Sequence, residues 1–176
     1  MTDLLCRCGQ CRLSVAGPPI MAVECLCASC AAAARRLAAR GAAPELTGQG
    51  GTAYVMYRKD RVAFPAGRAH LAAFRLTADA TTRRVIASCC GTPMFLEFMA
   101  GHWVSIYAQV WPQVDRPRAE LRTMARDHPN AAALPPDLPN LARHNLRFMR
   151  RLLWAWVAMG CRAPHIDAVQ KELKHA

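Results

Sequence analysis

Eight of the nine cysteines fall in three short clusters, and a fold has to bring those clusters together or leave them without purpose. Cys6, Cys8 and Cys11 come first, Cys25, Cys27 and Cys30 follow as C-x-C-x-x-C, and Cys89-Cys90 return after a gap of 58 residues. Spacings of one and two residues let neighbouring thiolates converge on one ion, and a structural zinc takes four ligands in a tetrahedron at about 2.3 Å each. Isolated cysteines pack as small apolar side chains, but an apolar core is not patterned C-x-C-x-x-C. The opening stretch MTDLLCRCGQ lacks the charged region, apolar run and small-residue cleavage site of a secretory leader. The expected compartment is therefore the cytoplasm, where clustered cysteines stay reduced and hold metal rather than disulfides.

A chain of 176 residues makes one domain, or one domain with an appendage. No apolar run approaches the roughly 18 residues of a membrane span; the longest, residues 152–159, follows Arg150 and Arg151. The formal charge of +11 overstates the holo protein. Two zinc ions with seven or eight ligating thiolates would bring it to about +7 or +8, because bound cysteines are deprotonated. Twenty of the 23 basic residues are arginine, but they are scattered with no long basic block. They read as a dispersed solvated surface, and nucleic acid is not the expected partner.

Hydrophobic patterning points to a mainly β fold. Residues 11–15 and 20–26 read as short strands around the turn Gly17-Pro18-Pro19. A helix follows, N-capped by Ser29, running over 30–40 and stopped by Gly41, with arginines near its C-terminal end. After a loop over 42–51, strands are expected at 52–57, 61–64, 70–77, 83–88, 94–98 and 103–110. Prolines break the next stretch, which leaves room for a short helix at 118–127. A long helix over 140–159 has Leu141, Phe148, Leu152, Trp156 and Met159 on one side and Trp154 among arginines on the other. Trp154 makes this helix a candidate homodimer contact. The tail from Pro164 reads as weakly helical. The pattern divides the chain into a β domain at 1–112 and a Pro-rich linker with helical extension at 113–176.

Chemistry separates the clusters into two sites. Cys25 and Cys27 stand at a strand end and Cys30 in the first helical turn, where the helix N-terminus favours thiolate. Three thiolates leave one corner of a tetrahedron for water, a substrate thiol or a fourth protein ligand such as His70 or His102. Cys6 and Cys8 with Cys89 and Cys90 make a closed structural site. Adjacent cysteines on a strand point to opposite faces, so both bind one ion only if the backbone turns near Gly91; otherwise Cys11 supplies the missing sulfur. Cys161 stands alone and reads as a packed thiol.

Three motifs occur together and in order: C-x-C-G-x-x-R at Cys6 to Arg12, C-x-C-x-x-C at Cys25 to Cys30, and C-G-T-P-x-F at Cys90 to Phe95. In these the chain resembles the glutathione-dependent formaldehyde-activating enzyme and centromere-protein-V family. The Cys-Cys-x-Thr-Pro variant and the Arg-rich C-terminal helix look like a bacterial branch of it. The resemblance spans about Leu5 to Phe98. It implies a zinc-bound β-tent of small antiparallel coiled sheets, a structural zinc at Cys6, Cys8 and Cys90, and a second zinc at Cys25, Cys27 and Cys30. It also implies carbon–sulfur lyase chemistry on a glutathione-type thiol adduct. The sequence departs from the family pattern at Ala87, where the family has the first Cys of a C-x-x-C, and in the Ala-rich stretch after Cys30, where active members are polar and basic. The missing active-site polarity, the Arg excess and the exposed-looking Trp154 fit the rival expectation, a non-catalytic zinc scaffold for a protein or nucleic-acid partner.

Overall fold

The computed structural model describes residues 1–173. The chain opens with β1 (Thr2–Leu5) and β2 (Arg12–Val15), an antiparallel hairpin whose loop is the Cys6–Cys11 segment. Next come β3 (Met21–Cys25), α1 (Ala28–Ala38), β4 (Thr52–Arg58) and β5 (Val62–Ala66). Four strands then follow: β6 (Leu71–Phe74), β7 (Thr82–Ala87), β8 (Thr92–Phe98) and β9 (Trp103–Tyr107). The last elements are β10 (Leu121–Thr123), β11 (Asn140–Leu141), α2 (Leu146–Val157) and β12 (Lys171–Glu172). The fold is thus mainly β, with a short helix after the second cysteine cluster and a helix near the C-terminus.

Two sheets result. A small one has the order β1-β2-β5, and a nine-stranded one runs β11-β10-β3-β4-β9-β8-β7-β6-β12. The centre of the large sheet is antiparallel, while β10, β11 and β12 add to its edges in parallel. Side chains alternate between faces with period two, and the registers sort them. Val55, Ile106, Phe95 and Val85 share the face that packs on the small sheet through Leu4, Leu13 and Val15. Met21, Val23, Tyr54 and Met56 share the opposite face, which α2 covers with Phe148 and Leu152.

Several expectations change. The segment 118–127 forms strand β10 and a 3-10 turn at Ala125–Asp127 rather than a helix. The free edge of β3 offers backbone partners there, and Arg122 is drawn inward by Glu24 at 2.9 Å. The long helix starts only at Leu146, because Asn145 caps it by accepting from the Phe148 N–H at 2.9 Å, while Asn140 and Leu141 pair with β10. In the tail, Lys171 and Glu172 pair with β6 instead of coiling, and residues 174–176 lie outside the described part. Cys161 is exposed, in the left-handed turn that ends α2, and is not a packed thiol.

The arginines are not all on a solvated surface. Arg83, Arg84 and Arg122 are buried. Arg83 and Lys59 both reach the fully buried Glu97, each at 2.7 Å. Arg122 spans Glu24 and Asp137, the latter at 2.8 Å. Arg83 and Arg122 are thus committed to acids inside the fold rather than to a solvated surface.

Candidate metal centres and the adjoining pocket

The first site joins the β1–β2 loop to the β7–β8 turn. Cys6 N–H donates to the Cys11 carbonyl at 3.0 Å and Gly9 N–H to that of Cys6 at 2.9 Å, closing a tight loop that turns its sulfurs to one side. Across from it the backbone folds back after Ala87, whose carbonyl takes the N–H groups of Cys90 and Gly91. Gly91 has φ +70°, and a Cβ there would stand 2.5 Å from the Gly41 carbonyl oxygen, so only glycine suits this bend. The turn resolves the difficulty of adjacent cysteines: Cys6, Cys8, Cys89 and Cys90 all present sulfur to one point. Their contacts measure 3.6 Å for Cys6–Cys8, 3.8 Å for Cys6–Cys89, 3.4 Å for Cys8–Cys89 and 4.0 Å for Cys89–Cys90. Four sulfurs at about 2.3 Å from a tetrahedral ion lie about 3.8 Å apart, so these residues fit such an ion. Arg7 clamps the two halves, donating through its backbone to Thr92 Oγ1 at 3.1 Å and through its side chain to the Cys90 carbonyl at 2.6 Å.

Cys11 stays outside the group of four. Its sulfur lies 3.9 Å from that of Cys89 but donates to the Gly67 carbonyl at 3.4 Å. Burial pushes its thiol up to about 11. It buttresses the site as a protonated thiol.

The second site sits where β3 hands over to α1. Cys27, not Ser29, is the N-cap: its sulfur accepts the Cys30 N–H at 3.3 Å. Cys25, Cys27 and Cys30 bring their sulfurs within 4.8 Å of one another, and among the described residues the group stops at three. Neither His expected as a fourth ligand joins it. His70 is exposed at the end of the 3-10 turn before β6, and His102 holds the Leu152 carbonyl at 2.8 Å. Cys30 is buried, with Tyr54 Oη 3.6 Å from its sulfur.

Both clusters mix low and high thiols. Hydrogen bonds from Cys25 and then Cys30 draw Cys27 far below the ordinary thiol range, and Cys25 is pushed up by its bond to Cys27. Desolvation pushes Cys90 up, yet hydrogen bonds from Thr92 and the Cys8 backbone outweigh it and bring the thiol down to about 6. Cys89 is pushed up by desolvation and by its bond to Cys8. Protons are thus shared among close sulfurs, and an ion entering either cluster has to displace them.

The second cluster opens on a cavity of about 350 Å³, within the range of small-molecule sites. Its floor is the α2-facing side of the large sheet, with Val23, Met56 and Leu96, and its far wall is Phe148 and Leu152 of α2. Arg84, Thr123 and His144 line it too. His144 stacks on Phe148 with ring centroids 4.3 Å apart. The spacing of the cysteines carries no trace of these residues. Arg84 could have been flagged only as half of the Arg83-Arg84 pair that leads an apolar run in β7. The expected exposure of Trp154 on α2 is met, at 65%.

No helix among the described residues is long and apolar enough to cross a membrane. No family model and no curated protein matches the chain. Among solved structures, the chain is similar to a crystal structure of a Rhodobacter sphaeroides protein, at 13% identity and a TM-score of 0.48, covering 79% of this chain and 99% of that one.

Proposed function

We propose that this is a zinc protein with two unlike centres. Cys6, Cys8, Cys89 and Cys90 hold a structural ion, and Cys25, Cys27 and Cys30 hold a second ion whose fourth position receives a substrate thiol. The reaction class proposed is the making or breaking of a carbon–sulfur bond, as the resemblance to the formaldehyde-activating family implies, with glutathione or another small thiol as the sulfur source. The observation that carries the reading is the three-sulfur group standing open on a cavity of small-molecule size.

Zinc, when bound, supplies a Lewis acid that lowers the pKa of an incoming thiol and fixes its sulfur. The protein's residues do the rest. In the forward direction the thiol proton leaves, a sulfur lone pair attacks the carbonyl carbon of an aldehyde, and the π pair moves to oxygen, which takes up a proton. The reverse breaks the same C–S bond and returns thiol and aldehyde. The apolar walls exclude water from the sulfur, and Tyr54, hydrogen-bonded to Cys30, holds one sulfur in place.

Cobalt substitution tests this, because the visible bands of cobalt report the number of sulfur ligands. A small thiol should change those bands, and Cys27→Ser should abolish the change. Four protein ligands at the second site from the outset, with bands indifferent to millimolar thiol, would leave the non-catalytic scaffold in its place.

A further inference from the structure

The three buried arginines are not treated alike. Arg83 meets Glu97 and Arg122 meets Glu24 and Asp137, but Arg84 meets no carboxylate. It is only 1% exposed and permanently charged. Only its Nη2 is used, donating to Ser29 Oγ at 2.8 Å and to the Ser29 carbonyl at 3.2 Å. Its Nε and Nη1 are buried without a partner. Thr123, 2% exposed, leaves its hydroxyl unpartnered as well. Both residues line the cavity beside the second cysteine cluster, and no described Asp or Glu does.

The Cys27 thiolate, which the guanidinium favours through space, gives Arg84 partial charge balance, but its buried Nε–H and Nη1–H groups still lack acceptors, and that is costly. The fold supplies carboxylates to its other two buried arginines, so here the acceptor has to come from what enters the pocket. Ser29 fixes the distance. It holds Arg84 against the same helical turn that carries Cys27 and Cys30, so one small molecule can reach the sulfurs and the guanidinium together. The remaining walls are mostly apolar, with Val23, Met56, Leu96, Trp103, Phe148 and Leu152 outweighing Thr82, Ser105 and His144, and they suit an apolar body. No carboxylate stands there to meet an ammonium group.

We infer that the pocket takes a small apolar thiol bearing one carboxylate a few bonds from its sulfur, the carboxylate bound by Arg84 and the thiol directed to the Cys25, Cys27 and Cys30 centre. This rests on the reading of that centre as an open thiol site. It disfavours glutathione itself, whose ammonium meets no carboxylate on these largely apolar walls.

The test uses four probes on the cobalt-loaded full chain. They are 2-benzyl-3-mercaptopropanoate, its uncharged alcohol 2-benzyl-3-mercaptopropanol, the thiol-free 3-phenylpropanoate, and glutathione. The thiol acid should bind about tenfold or more tighter than the alcohol, the return from hydrogen bonds to a charged group. It should also bind tighter than glutathione. Arg84→Gln should level acid and alcohol while the alcohol still changes the cobalt bands, and Arg84→Lys should restore part of the difference. Should the glutamine variant not fold, the acid-to-alcohol ratio on the wild type decides alone. Equal affinity of acid and alcohol overturns the carboxylate assignment and leaves the thiol site standing. Cobalt bands indifferent to every thiol, with calorimetric binding of 3-phenylpropanoate that Arg84→Gln removes, overturn the thiol reading and keep the anion site. Binding of none of the four overturns both.

Discussion

The two centres should contribute very differently to stability, and the difference can be worked from chain separation. An ion at the first site ties positions 83 residues apart, Cys6 to Cys89, whereas the second joins Cys25 to Cys30, five residues apart. Treated as cross-links that restrict the unfolded chain, the first is worth about 4.5 kcal/mol and the second about 2 kcal/mol. The contrast is sharpened because Cys25, Cys27 and Cys30 can chelate an ion even in an unfolded chain, which cancels part of its benefit. The perturbation is a pair of double variants, Cys8→Ser with Cys89→Ser, and Cys25→Ser with Cys27→Ser. Cys8 is exposed, and Cys25, Cys27 and Cys89 are only partly buried, so packing losses are similar. Serine at 27 also keeps the helix capped. Thermal and urea melts of the zinc-loaded proteins should place the first variant about 2.5 kcal/mol below the second, a gap of about 5–10 °C in Tm for a chain of this size. Equal losses would refute the reasoning and make the second site as structural as the first.

Two further outcomes follow from buried charge. Glu97→Gln keeps shape but leaves Lys59 and Arg83 without their shared anion; a loss of about 3–5 kcal/mol is expected in urea melts, and a loss under about 1 kcal/mol would mean that water reaches the trio. Burial lowers the pKa of His102, which holds α2 through the Leu152 carbonyl. Its folded-state value lies below the unfolded one of about 6.5, so as pH falls the unfolded chain takes the proton first and the contribution of His102 to stability shrinks below about pH 6.5. The stability difference between wild type and His102→Gln should therefore narrow in melts taken from pH 7.5 to 5.5, and a difference independent of pH would sink the assignment.

How much of this was legible in the sequence depends on how far each feature reaches along the chain. The cysteine groups are local in spacing, so Cys25, Cys27 and Cys30 could be grouped without a fold, and the Gly91 turn already allowed Cys89 and Cys90 to share a point. Strands β10 and β12 were not legible, because two or three residues become strand only when a free sheet edge accepts them. Cys27 as N-cap was missed because Ser29 has the stronger local preference, yet the hydroxyl of Ser29 is committed to Arg84 instead. The burial of Arg83, Arg84 and Arg122 was missed because composition says nothing about which arginine turns inward.

The placement of Arg84 beside the second cluster follows from strand parity, and parity needs the register. Thr52, across from Cys25 on β4, shares a face with Tyr54 and Met56. Met56 lies opposite Ser105 on β9, Ser105 opposite Leu96 on β8, and Leu96 opposite Arg84 on β7. Paired residues share a face, so this unbroken series puts the guanidinium of Arg84 on the face that carries the sulfur of Cys25. A one-residue slip in any one pairing would bring Arg83 round instead. Arg83 faces the other way, where Glu97 meets it. One member of the Arg83-Arg84 pair is thus neutralised within the fold and its neighbour is left open to the pocket, which is why the pair is not a redundant patch of charge.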